Sequence, residues 1–244
     1  MEMTTDYLLG GKVSLAQPKD GYRVGIDPVL LAASVPISSG QTLLDAGAGV
    51  GAAMLCIAKR VPDSKVYGLE IQPDLVPINQ GNISENHMES ICNTLQGDIK
   101  SPPESLVPNS FDHVMTNPPH FIAADSLVSP NDNKAICRHE SSLTLEEWIN
   151  ACVRMVTPRG TFTILHRADR VDEVIAAMTQ KCGGITIWPL WPKTGKLAKL
   201  VIVQGRKGAK TPAKMLPGLT LHEEDGGYTK QAQQILSGGQ GLVP

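Results

Sequence analysis

The most specific chemistry in this sequence lies in Asn117-Pro118-Pro119-His120-Phe121. The Asn117 side-chain carbonyl and the Pro118 backbone carbonyl are two acceptors. Together they can hold the NH2 group of a planar substrate and turn its lone pair toward an electrophile. Pro119 fixes the turn and carries no N–H. His120 can stack on a planar ring, and Phe121 offers an alternative ring two residues after Pro119. Catalysis of this kind works mainly by positioning, since no strong base is needed when the amine loses its proton during or after attack. Asn-Pro is also a common turn dipeptide, so the segment acquires its meaning from what precedes it.

What precedes it is a glycine loop followed by two acidic positions. Asp45-Ala46-Gly47-Ala48-Gly49-Val50-Gly51 ends an apolar run and opens an amphipathic one. Glycines there let the backbone turn tightly and approach a ligand. Gly47, Gly49 and Ala52 fit a dinucleotide fingerprint, with Glu70 about 20 residues further on. A carboxylate at Asp45 would repel a pyrophosphate, but it suits a nucleoside ligand carrying an ammonium and a sulfonium. Glu70, beside Ile71, can accept from both ribose hydroxyls. Asp98 can accept from an adenine amino group while Ile99 packs on the ring. Asp45, Glu70 and Asp98 at successive strand ends resemble the S-adenosylmethionine site of class I methyltransferases. A nicotinamide-dependent dehydrogenase is the competing reading of the same glycines.

These side chains require a scaffold that brings strand ends together. From Gln41 onward strands alternate with helices. QTLLDAG, KVYGLEI, SICNTLQGD, FDHVMTNPP, GTFTILHR, ITIWPLWP and AKLVIVQGRKG read as strands. GAAMLCIAKRV, PDLVPINQGNISENHM, LTLEEWINACVRMV and VDEVIAAMTQKC read as helices. Alternation of this kind predicts an α/β fold, and the resemblance of the acidic strand ends to the class I methyltransferase site implies its Rossmann-like form. It would be a seven-stranded, mostly parallel sheet with helices on both faces. Residues 1–40 read as a lead-in and residues 41–244 as the methyltransferase domain; the resemblance to class I methyltransferases implies that the lead-in folds over the cofactor site. Within the lead-in, Asp27 is expected as the N-cap of a short helix whose first residue is Pro28. Arg23 and Asp27 are assigned to cofactor binding; a surface ion pair is the alternative for Arg23. Gln17 and Tyr22 are weaker candidates. Residues 122–142 read as a long loop.

The motif resembles the [N/D]PP[Y/F] signature of amino-directed methyltransferases, which act on nucleobase amines or glutamine amides. Three further stretches narrow the resemblance: GGKVSLAQPKDGYRVGIDPVLLAAS, RHESSLTLEEWI and PLWPKTGKLAKLVIVQGRKG with LHEEDGGYTKQAQQIL. They look like the bacterial tRNA(Val) adenine-37 amino-methyltransferase family, and the likeness runs over nearly the whole chain. The resemblance implies methyl transfer from S-adenosylmethionine to the exocyclic amine of an anticodon-loop adenine, with Asn117, Pro118, Pro119 and His120 as the catalytic set. Asn117 also borders the cofactor. The family carries Tyr or Phe where this chain has His120. Imidazole is a smaller stacking surface and adds a titrating charge, which bears on the substrate more than on the reaction class.

Composition excludes several other classes. Hydrophobic residues make up 41% of 244, charged residues 19%, and the net charge is -2, as in ordinary globular chains rather than disordered ones. No apolar run approaches the roughly 20 residues of a membrane span, and no signal peptide is evident. The five scattered cysteines form no CxxC, which argues against a disulfide scaffold or a metal site and for free thiols in the cytoplasm. Charge is uneven, however. No acidic residue lies between Glu173 and Glu223, whereas that stretch holds eight Lys and Arg. Lys193, Lys196, Lys199, Arg206, Lys207 and Lys210 are therefore candidate RNA contacts, with Arg138 and Phe121 nearer the motif. Trp188 and Trp191 read as core, with part of an RNA platform as the alternative. A protein glutamine amide, another nucleobase, or a non-catalytic nucleic-acid-binding role are the alternative functions. The sequence is compatible with a monomer or a homodimer.

Overall fold

The computed structural model describes residues 2–20, 23–118 and 143–242. The chain opens with an antiparallel hairpin of β1 (Met3–Leu8) and β2 (Val13–Pro18). Its reversal uses positive φ at Leu9, Gly10 and Gly11. The sequence reading did not anticipate this hairpin. β1 alternates only between exposed and half-buried positions, so it carries little apolar signal. Helix α1 (Asp27–Ser34) follows. Here one expectation is corrected: Ile26 occupies the N-cap, and Asp27 and Pro28 are the first two helical residues. Pro28 is tolerated there because first-turn N–H groups have no intrahelical partner.

The expected alternation then appears in order. It comprises β3 (Thr42–Ala46), α2 (Ala52–Arg60), β4 (Lys65–Glu70), α3 (Leu75–Glu85), β5 (Cys92–Gln96) and β6 (Phe111–Thr116). After the undescribed segment come α4 (Leu145–Met155), β7 (Val156–Arg167), α5 (Val171–Thr179), β8 (Cys182–Trp191) and β9 (Leu200–Lys207). Pro77 sits in the first turn of α3 and does not break it. Two dipeptide strands, β10 (Lys214–Met215) and β11 (Leu219–Thr220), and a last helix, α6 (Lys230–Leu236), complete the described chain.

The sheet runs β10-β8-β9-β7-β6-β3-β4-β5, with β11 also on β8. The seven long strands are those expected, and the two short ones extend the outer edge. Only β9 is antiparallel to its neighbours, β7 and β8. Successive strand residues face opposite layers. Leu43, Met115, Leu165 and Ile202 face a core built with α1 and α2. Leu44, Val114, Ile164 and Val203 face a second core with α4 and α5. Helix α4 shows why it docks there. Leu145, Trp148, Ile149, Cys152 and Val153 form one buried stripe, and a reciprocal Thr144–Glu147 capping box starts the helix.

Candidate active site

The parallel strands all end on one edge of the sheet, and the chain order reverses beside β3. β4 and β5 lie to one side of β3 and β6 to the other. Such a switch point opens a crevice beyond the strand ends. Register fixes what meets there. Asp45 pairs with Gly68 of β4 and Met115 of β6, and Glu70 pairs with Gln96 of β5. Asp45, Glu70, the Gly97-Asp98 turn and Asn117 therefore cluster on one rim, as their spacing predicts.

The glycine loop is held from below. Gly47 and Ala48 donate to the Leu69 carbonyl at 2.8 and 3.1 Å. Asn79 of α3 is fully buried; its amide donates to the Gly49 carbonyl at 3.1 Å, and its oxygen accepts from Thr94 at 2.8 Å. Asn82, one turn on, donates to the Val50 and Ala16 carbonyls at 2.9 Å and accepts from the Ala16 N–H at 2.8 Å. It thereby ties β2 to the loop. Sequence reading missed both asparagines. The only signal was a pair of amides three residues apart on one helical face. Gly51 has φ +94°, and a Cβ there would lie 2.6 Å from Asn79 Oδ1. Gly49, at φ +54°, has no heavy atom within 4 Å of its Cβ direction.

Electrostatics on this rim favour a cationic ligand. Asp45 is 2% exposed. Burial, and then repulsion from Glu70, push its carboxyl up to about 7, against a hydrogen bond from the Met54 backbone. Glu70 is also buried. Its two oxygens accept from the Gly49 N–H at 2.7 Å and the Gln72 N–H at 2.9 Å. A buried acidic pair, three left-handed glycines and the open space over Gly49 fit S-adenosylmethionine. The ammonium would neutralise the buried acidic charge, Glu70 would take the ribose hydroxyls, and the open loop would admit the nucleoside.

The strand that leads into the motif is anchored by two further residues the sequence did not single out. The Thr116 hydroxyl donates to the Ala46 carbonyl at 2.7 Å and accepts from Trp148 Nε1 at 3.1 Å. The Trp148 ring also lies 3.4 Å from where a Gly47 Cβ would be. One relay thus joins α4, the glycine loop and the strand end carrying Asn117. Asn117 is half-buried and Pro118 buried. Pro119, His120, Phe121 and Arg138 lie outside the described residues, as do Tyr22 and the loop 122–142.

Other expected residues fall in different settings. Ile71 is 39% exposed beside Glu70, whereas Ile99 is packed into the core with Leu69 and Val114. Asp98 accepts from the Lys100 N–H at 2.9 Å, capping its own turn. Arg23 forms the surface ion pair, reaching Asp6 at 2.5 Å and Thr4 at 3.0 Å. Gln17 is buried, and bonds to Asp6 and the Val24 N–H pin that turn. Asp27 is half-buried in the first turn of α1. Trp188 is core, as expected; Trp191 is half-buried and donates to the Pro217 carbonyl at 3.0 Å.

The basic stretch is divided between two edges of the sheet. Because β9 runs antiparallel, it carries the chain away from the rim. Leu200 pairs with Arg167 at the rim, and Arg206 with Thr161 far below it. Lys193, Lys196 and Lys199 therefore lie on the site's side of the sheet, while Arg206, Lys207 and Lys210 lie toward the opposite edge. Lys207 is also engaged. Its ammonium donates to the Val153 and Val156 carbonyls and to Asn109 Oδ1 at 2.7–2.8 Å, and to the Arg154 carbonyl at 3.3 Å. It caps the carbonyl end of α4, which gives it a structural role in this fold.

Comparison with known proteins agrees with this geometry. A family profile described as a methyltransferase domain matches residues 37–210. The chain is similar to a tRNA1(Val) (adenine(37)-N6)-methyltransferase of Porphyromonas gingivalis, with 32% identity over 182 residues. The match covers 70% of this chain and 69% of that one. It is also similar to one of the same name from Bacteroides thetaiotaomicron, at 30% identity, covering 66% and 67%. Among solved structures, a predicted O-methyltransferase from Agrobacterium tumefaciens superposes with a TM-score of 0.73 at 22% identity. That match covers 89% of this chain and 98% of the other, and it supports the fold alone. A fold, a cofactor crevice and relatives that agree in this way make the chain an S-adenosylmethionine-dependent class I methyltransferase, and it belongs to the tRNA1(Val) (adenine(37)-N6)-methyltransferase family.

Proposed function

We propose that this enzyme methylates the exocyclic amine of an adenine in RNA, specifically in a tRNA anticodon loop. The observation that carries the reading is the adjacency of two strand ends. β6 delivers Asn117 and Pro118 beside the glycine loop that leaves β3. The relatives named above are described as acting at adenine 37 of tRNA1(Val), which supports the finer assignment.

When bound, S-adenosylmethionine supplies a methyl group on a positively charged sulfur. The protein's own groups do the rest. Asp45 and Glu70 would hold the ammonium and the ribose hydroxyls, and Asp98 the adenine of the cofactor. The lead-in, tied to the loop through Asn82, supports the crevice from one side. The target base is splayed out of its loop to reach the rim. Asn117 and Pro118 accept the two N–H bonds of its amine, which turns the nitrogen lone pair toward the cofactor crevice. Pro119 and His120 complete the motif in sequence, with His120 as the stacking ring and Phe121 as its alternative. The methylated amine gives its proton to water.

The setting assigned is cytoplasmic. No helix among the described residues is long and apolar enough to cross a membrane. The four described cysteines are buried and free, and burial pushes Cys56 and Cys92 up to about 12, where thiols are inert.

The test offers labelled S-adenosylmethionine with unmodified tRNA, synthetic tRNA1(Val) and a protein extract in parallel. Label in an adenine amine of the tRNA, absent with Asn117→Ala, is expected. Label in protein alone would move the enzyme to amide substrates. Cofactor binding with no label in any RNA would overturn the proposal.

A further inference from the structure

Beyond the ends of β7 and β8, the rim continues into a groove that the methyl-transfer site does not use. The 192–199 loop, Arg167 and His222 line it, and its volume is about 860 Å³. Arg167, Lys193, Lys196 and Lys199 supply four cations against one lining carboxylate, Asp169, which is already paired with Arg167. Lys193 donates to the Glu224 carbonyl at 2.8 Å. The side chains of Lys196 and Lys199 have no hydrogen-bond or ion-pair partner among the described residues. Between them stands Leu197, 88% exposed, an apolar side chain offered to solvent in a cationic loop.

The groove lining also carries one ring, that of His222. The His222 ring stacks on Tyr228 with centroids 4.8 Å apart and planes 23° apart. His222 Nδ1 is 3.1 Å from the Gly226 carbonyl, which fixes the ring in place. Backbone-tracking cations alongside a fixed ring stack and an apolar knob are the features that hold single-stranded nucleic acid. Phosphates meet the cations and base faces meet the rings. The groove lies one to three strands from β6, roughly 5–15 Å along the sheet at about 4.8 Å per strand. Nucleotides neighbouring a base held at Asn117 would pass over it.

We propose that this groove binds the unpaired nucleotides flanking the target adenine, with phosphates on Lys196 and Lys199 and a base against His222 and Leu197. The proposal rests on the RNA substrate reading above and adds to it the surface that selects an open loop over a duplex.

Fluorescence anisotropy with a labelled anticodon stem-loop RNA tests it, using wild type, Lys196→Ala/Lys199→Ala, Leu197→Ala and His222→Ala. All four positions lie away from the cofactor loop, so S-adenosylmethionine affinity should not change. The double lysine variant should flatten the slope of log affinity against log salt by about 1.4, since each single-strand phosphate contact contributes roughly 0.7. His222→Ala should weaken RNA binding about tenfold, while binding of a fully paired RNA of equal length changes little. Unchanged slope and affinity in these variants would overturn the proposal. So would displacement of the RNA by polyglutamate at equal charge, which would mark an acidic-peptide surface instead. If wild type methylates no RNA, the substrate reading fails separately, and the groove then stands or falls on these binding data.

Discussion

Replacing Gly51 and Gly49 by alanine, one at a time, should separate folding from cofactor binding. Gly51 has φ +94°, where a non-glycine residue costs about 1–2 kcal/mol. Its added Cβ would also meet Asn79 Oδ1 at 2.6 Å. Asn79 is fully buried and bonded to both Thr94 and Gly49, so it cannot swing clear without breaking those bonds. Two buried hydrogen bonds at about 1 kcal/mol each bring the total to about 3–4 kcal/mol. For a chain of this size that lowers Tm by roughly 6–15 °C. Gly49, at φ +54°, sits in the left-handed basin itself, and a Cβ there touches nothing within 4 Å. Gly49→Ala should cost only about 1 kcal/mol, or roughly 2–4 °C. Its methyl group, however, projects into the space assigned to the cofactor, so affinity for S-adenosylmethionine should fall at least tenfold. Thermal unfolding without cofactor and titration calorimetry with it measure the two effects. Equal losses of Tm, or unchanged affinity in Gly49→Ala, would refute the reasoning.

Two further outcomes follow from buried charges. In cofactor-free enzyme Asp45 titrates at about 7 rather than near 3.8. The folded state therefore retains a proton that the unfolded state has lost, and stability falls as pH rises from about 4 to 7. At 1.36 kcal/mol per pH unit the full loss is on the order of 4 kcal/mol. Asp45→Asn should flatten that profile, and wild-type affinity for the cationic cofactor should tighten as pH rises through 7; a pH-independent wild type would contradict this. Lys207→Met should lower stability by about 1.5–3 kcal/mol by uncapping α4, while RNA affinity stays unchanged; a loss of RNA affinity at constant stability would place Lys207 on the nucleic-acid face instead.

The legible parts of this protein are those in which local pattern and global fold coincide. Thr42–Ala46 and Lys65–Glu70 read as buried parallel strands because they are buried on both faces of the sheet. Asp45, Glu70 and Asp98 stood out because acids at successive strand ends must meet at a switch point. The N-terminal hairpin was hidden by the half-exposed alternation of β1, and β10 and β11 are too short to leave a pattern. Asn79, Asn82, Thr116 and Trp148 escaped notice because their partners are backbone and side-chain groups distant in sequence. The division of the basic stretch is not legible in the sequence for a topological reason. Lys199 and Lys207 are close in sequence, but an antiparallel strand of eight residues places them near opposite edges of the sheet.

Asn117 and Pro118, held beside the glycine loop, are proposed to present an adenine amine of tRNA to the cofactor's methyl group. Mass spectrometry of nucleosides from tRNA1(Val), incubated with enzyme and S-adenosylmethionine, tests it most directly. The account predicts N6-methyladenosine at one anticodon-loop position with wild type and none with Asn117→Ala, which should still bind cofactor. Undiminished N6-methyladenosine with Asn117→Ala, or a methyl group on any other atom of the tRNA, would contradict it.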